Sequence, residues 1–223
     1  MSMASILPAD PTLDEIRAAL APLIAQNAAF DGFGEAALAD AAQRLGIDGD
    51  VARLAFPGGG REMVDAWFAD VDAAMTAKWP ADKLAALKIR ERITTLIEAR
   101  IDLLGPARES LRRALALLAL PTNAPHAAKL GWRSADVMWR LAGDTATDFN
   151  HYSKRAILAG VYASTIAVFL DDDSEDFAET RAFLARRIDG VMRFESWKHR
   201  RAARGIERPS FARFVGRLRY PGR

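Results

Sequence analysis

Residues 145–170 read TATDFNHYSKRAILAGVYASTIAVFL, and their spacing decides the fold class. Phe149, Tyr152, Ala156, Ala159, Ala163, Ile166 and Leu170 recur at steps of three and four, the period of one face of an α-helix. Ile157, Val161 and Val168 form a second apolar stripe, so this helix is expected to be buried on two sides. Thr145 and Asp148 have the spacing of a capping box, which satisfies orphan amides at a helix start. Nowhere does the chain alternate strictly between polar and apolar residues as a half-buried strand would, and an all-α fold is predicted throughout.

Working outward, a helix is expected from Asn123 to Leu141, broken by Gly143, and another over Ala107–Leu120. The latter is apolar on nearly every side after Arg113, which predicts a central position. A long helix starts at Pro80 and carries Leu84, Leu87, Ile93, Leu96, Ile97, Ile101 and Leu104 on one face until Gly105-Pro106. Earlier helices are expected at Arg61–Lys78, Asp48–Ala55, Gly34–Leu45 and about Thr12–Ala28. Phe56-Pro57-Gly58-Gly59-Gly60 stops the short one. After residue 170, Asp171-Asp172-Asp173 ends a helix, and Asp173 to Asp176 places negative charge where the dipole of a ninth favours it. Three regions follow: a helix-turn-helix over 12–60, a helical body over 61–193 and a tail over 194–223.

The chain has 223 residues, 31 Lys plus Arg, 29 Asp plus Glu and no cysteine. Disulfides, thiolate zinc sites and cysteine nucleophiles are excluded, and three dispersed histidines (His126, His151, His199) predict no metal site. The net charge of +2 conceals an asymmetry: 13 basic residues against Asp189, Glu195 and Glu207 from Arg181 onward, a net of +10 on a body of −8. In the tail Phe194, Trp197, Phe211, Phe214 and Tyr220 are interleaved with basic residues that include Arg200 and Arg217. That composition suits an anionic membrane surface, and equally nucleic acid or a solvated terminus. The longest apolar run, Ala156–Leu170, is shorter than the roughly 20 residues a membrane-spanning helix needs, so membrane contact is expected to be peripheral.

The helix-turn-helix has the layout of a DNA reader, but its second helix opens on Asp48-Gly49-Asp50. Carboxylates there oppose phosphate contact, and DNA reading is not expected. Asp148 and His151, three apart on a helix, are candidates for acid–base work. No nucleophile, phosphate loop or metal spacing accompanies them, so neither catalysis nor a cofactor is expected. Trp, Tyr, Met and Arg concentrated around 138–155 also suit a protein-docking patch.

Several segments carry a resemblance. The helix-turn-helix with Ala55-Phe56-Pro57 and the helix from Arg61 looks like the TetR transcriptional-regulator layout. Leu120-Pro121-Thr122-Asn123-Ala124-Pro125, Met138-Trp139, Ala142-Gly143-Asp144, Thr147-Asp148-Phe149-Asn150 with Tyr152 and Arg155, and Asp176-Phe177 with Phe183-Leu184 and Arg187 are more specific. Together they resemble the lipid-binding accessory family of ubiquinone biosynthesis, ninth of the Coq series.

That resemblance implies a TetR-like homodimer that binds an isoprenoid or other lipid and presents quinone intermediates to the di-iron demethoxyubiquinone hydroxylase. The implied docking patch falls on Met138, Trp139, Asp148, Tyr152 and Arg155, with His151 standing where eukaryotic members tend to have tryptophan. A lipid cavity between the fifth and eighth helices would be lined by Leu141, Phe149, Leu158, Val161, Tyr162 and Phe169. Because MSMASILPADPTLDEIR has neither a secretory signal nor a transit peptide, a bacterial cytoplasmic protein on the inner face of the membrane is expected. The rival reading is a TetR-type regulator with a small-molecule pocket.

Overall fold

The computed structural model describes residues 7–8, 10–145 and 149–203, with 149–150 and 195–203 described through the backbone alone. Among them the regular structure is helical: α1 (Leu13–Asp31), α2 (Glu35–Leu45), α3 (Gly49–Ala55), α4 (Gly60–Lys78), α5 (Ala81–Ala85), α6 (Ile89–Leu104), α7 (Arg108–Leu118), α8 (Ala124–Leu141), α9 (Phe149–Leu170) and α10 (Ala178–Ala203). The chain forms two compact units, Met1–Leu184 and Ala185–Arg223. The division falls within α10 rather than at residue 194, and none falls at residue 60.

Local chemistry explains the first three helices. Thr12 and Glu15 close a reciprocal capping box on α1, with the Thr12 amide donating to Glu15 at 2.8 Å. Gly46 ends α2 in the left-handed conformation. Asp48 accepts from the amides of Asp50 and Val51 and so caps α3. Ile16, Leu20, Ile24, Leu38, Ala41, Ala52 and Phe56 form one core that continues to Met63 on α4, which ties the helix-turn-helix to the body.

Two expectations fail here. The single long helix from Pro80 is two helices, because the chain breaks over residues 86–88 without glycine or proline. Arg92 bridges the break, donating to the carbonyls of Leu87 at 2.8 Å and Ala85 at 2.9 Å, while Glu91 accepts from the Lys88 amide. The apolar face runs in phase across both pieces, so periodicity alone could not show the interruption. The helix expected to be central, α7, is amphipathic: Leu111, Ala114 and Leu118 are buried, whereas Ala116, Ala119 and Leu120 are exposed.

Helix α9 is long and buried along one face, which keeps Ile166 of its primary stripe but leaves Tyr152, Ala156 and Ala163 outside. Leu158, Val161, Thr165, Ile166 and Phe169 point inward. Tyr152, Ala156, Gly160, Ala163 and Ala167 lie at the surface. Spacing identified the helix, and a buried arginine, Arg155, lies on it.

Candidate functional site

Helices α8 and α9 pack together, and their joining corner gathers most of the residues singled out around 138–155. Arg155 is the centre of the corner and is only 1% exposed. Its guanidinium donates to Asp136 at 2.5 Å, to Asp144 at 3.0 Å and to the His151 carbonyl at 3.1 Å. Lys154 holds the other oxygen of Asp144 at 2.7 Å, and Arg140 holds the other oxygen of Asp136 at 2.9 Å. Two carboxylates thus face three cations, the arrangement that lets a buried charge persist.

The backbone around this network is fixed as well. Gly143 adopts φ 89°, where a side chain would be strained, and Arg92 donates to the Ala142 carbonyl at 2.8 Å. The Trp139 indole donates to the Lys154 carbonyl at 3.0 Å, and the Lys154 ammonium lies 5.4 Å from its ring centre.

What faces solvent is aromatic. Tyr152 is 60% exposed, 6.0 Å from the ring of Trp132 and 5.1 Å, edge-on, from His151. Of the six residues expected to dock a partner, Tyr152, His151 and Trp139 present surface. Met138 and Arg155 are buried. Asp148 lies outside the described residues, and with it the pairing of Asp148 with His151.

The six residues expected to line a lipid cavity divide differently. Leu158, Val161 and Phe169 are ordinary core, and Phe169 packs edge-on against Phe177 at 4.9 Å. Leu141 is half-buried, and the Phe149 side chain lies outside the described residues. The Tyr162 hydroxyl accepts from Arg100 at 2.9 Å, a polar role where an apolar wall was expected. Arg100, fully buried on α6, also pairs with Asp72. Burial disfavours its cation, but Tyr162 and Asp72 outweigh that and raise its pKa further above the ordinary value. Among the described residues a groove of about 340 Å³ opens between α1, α4, α6 and α7, and none of the six lines it.

Sequence reasoning missed Asp136, Asp144 and Lys154 as a network, although the four-residue step from Asp136 to Arg140 was a readable signal. It also missed the α9–α10 connection. There Asp172 is buried and accepts from both the amide and hydroxyl groups of Ser174 and Thr180. Burial alone would raise its pKa, yet these four hydrogen bonds hold the carboxyl well below the usual carboxylate range.

Of the tail residues, Phe194 is 54% exposed, the side chains of Trp197 and Arg200 lie outside the described residues, and so do Phe211, Phe214 and Arg217. His151–Leu170 forms a 20-residue helical stretch of mean hydropathy 1.3, long and apolar enough by length and composition to cross a membrane. The count from Ala156 was short because it stopped at Lys154 and Arg155. Those two cations are held by protein carboxylates, and this suits a core helix better than a lipid-facing one.

Comparison with known proteins adds the following. Residues 124–195 match the COQ9 family model, a span that contains the whole α8–α9 corner. Over 168 residues the chain is 36% identical to the mitochondrial ubiquinone biosynthesis protein COQ9 of Rattus norvegicus, covering 72% of this chain and 54% of that protein. For the Homo sapiens protein the identity is 34%, over 72% of this chain and 52% of the relative. The chain therefore spans about half the length of the curated relatives it matches. In architecture it is similar to a TetR transcriptional regulator from Nitrosomonas europaea, with TM-score 0.63 and 26% identity over 78% of this chain and 96% of that one. The fold is all-α and TetR-like. The expected bacterial cytoplasmic location is corrected, because the relatives are named as mitochondrial; that expectation rested on the first residues of a chain that covers only part of them.

Proposed function

We propose that the chain, which matches the COQ9 family model over residues 124–195 and is 36% identical over 168 residues to a COQ9 protein of ubiquinone biosynthesis, is a nonenzymatic lipid-binding accessory protein of that pathway. In this reading the α8–α9 corner is the docking face, and the protein presents quinone intermediates to the di-iron demethoxyubiquinone hydroxylase. The observation that carries it is the division of labour at the corner. The Asp136 and Asp144 carboxylates are neutralised internally by Arg155, Lys154 and Arg140, while Tyr152 is left in solvent beside Trp132. Tyrosine and tryptophan are among the residues in which protein-binding hot spots are enriched.

The lipid belongs on the outward strip of α9, where Ala156, Gly160, Ala163 and Ala167 offer apolar surface. A second copy of the chain is the competing occupant of that strip. Organic extraction of the purified protein followed by mass spectrometry tests the lipid, with a copurifying prenyl or acyl lipid expected. Sedimentation before and after extraction distinguishes lipid from self-association. Repeated absence of lipid would count against this reading.

The TetR-like architecture keeps a regulator as the rival. Against it, Arg53, the cation of α3, is engaged by Glu35 and Asp50, each at 2.6 Å, and Asp48 is engaged as a cap. Specific retardation of upstream DNA in a gel shift at physiological salt would favour the regulator.

A further inference from the structure

The groove between α1, α4, α6 and α7 is separate from the α8–α9 corner, and its volume of about 340 Å³ falls within the range that takes small molecules. Pro22, Trp67, Val71, Leu103 and Pro106 make most of its wall apolar. Pro22 is a proline inside α1, so one amide of that helix is missing where the groove opens.

Four polar side chains line the groove: Gln26 is exposed, and Ser110 and Glu109 are already engaged. Ser110 donates its hydroxyl to the Ala25 carbonyl at 2.5 Å. Glu109 faces Arg112 at 3.4 Å and Arg113 at 3.3 Å. Asp70 differs: it is half-buried, and among the described residues no arginine, lysine or hydrogen-bond donor pairs with it. Burial pushes its carboxyl up from the ordinary value, since apolar walls withhold the hydration a carboxylate needs.

A ligand entering this groove must remove still more water from Asp70. A hydrocarbon would leave the carboxylate without compensation, and an anion would be repelled by it. A cation with an apolar body answers both demands. We infer that the groove binds a small organic ammonium ion, its nitrogen on the Asp70 carboxylate and its apolar body against Trp67, Val71 and Leu103.

Calorimetric titration of the full chain with n-hexylamine and with n-hexanol, at neutral pH and fixed ionic strength, tests this. The amine is charged and the alcohol is its neutral counterpart of similar size. Saturable amine binding is expected, with the alcohol at least tenfold weaker. Asp70→Asn should weaken the amine at least tenfold and leave the alcohol unchanged, whereas Asp82→Asn, at an exposed carboxylate outside the groove, should change neither. If Asp70→Asn is poorly folded, Asp70→Ser supplies the same comparison, and amine-dependent thermal stabilisation supplies a second readout. No saturable amine binding, equal binding of amine and alcohol, full amine affinity in the Asp70 variants, or loss through Asp82→Asn instead would overturn the inference.

Discussion

Arg155 and Tyr152 sit three residues apart on α9 and have opposite duties: one is sealed in an ionic network and the other stands in water. Removing one partner of a buried ion network leaves unpaired charge, so Arg155→Ala should lower stability by about 3–5 kcal/mol in denaturant unfolding. Asp172 makes a prediction in acid. Its carboxyl is depressed in the folded protein, so its contribution is fully present above the unfolded value, about 3.9, and is lost as pH falls below that. Asp172→Asn should therefore be less stable than the wild type at neutral pH, with the difference shrinking as the pH drops below about 4. Residue types were legible in the sequence; their burial was not. Arg155 read as surface because arginine usually is, and only the placement of Asp136 and Asp144 makes its burial tolerable.

Helix starts and stops were the most readable elements, because caps are local chemistry. The helices expected from about Thr12 and from Asp48 begin there, and the structure shows the two side chains acting as their caps. The break between α5 and α6 was invisible because it is made by Arg92 reaching carbonyls at its own end and at Ala142, a contact fifty residues away in sequence. The outward strip of α9 was misassigned for a related reason: alanine and glycine fit both a core and a surface, so a 3.6-residue period cannot say which face is covered. Gly60 shows how tightly α4 meets the helix-turn-helix. A methyl group there would overlap the Phe33 carbonyl oxygen and press on Leu117. Gly60→Ala should cost about 1–3 kcal/mol in thermal unfolding, an overpacking penalty that a nearby exposed glycine with an open environment would not incur.

Across the whole molecule, an acidic body and a basic C-terminal segment remain the clearest large-scale feature. Removing residues 194–223 should weaken binding to phosphatidylserine vesicles in a salt-dependent way, read by cosedimentation, while helical content of the remainder persists. Unchanged partitioning would separate the basic segment from membrane contact. The central claim concerns the α8–α9 corner, and the affinity of the purified di-iron demethoxyubiquinone hydroxylase for the wild type and for Tyr152→Ala tests it most directly. The exposed position of Tyr152 predicts a folded variant of nearly unchanged stability that binds the hydroxylase at least tenfold more weakly. Equal affinity of the two proteins, or no measurable binding by the wild type, would contradict it.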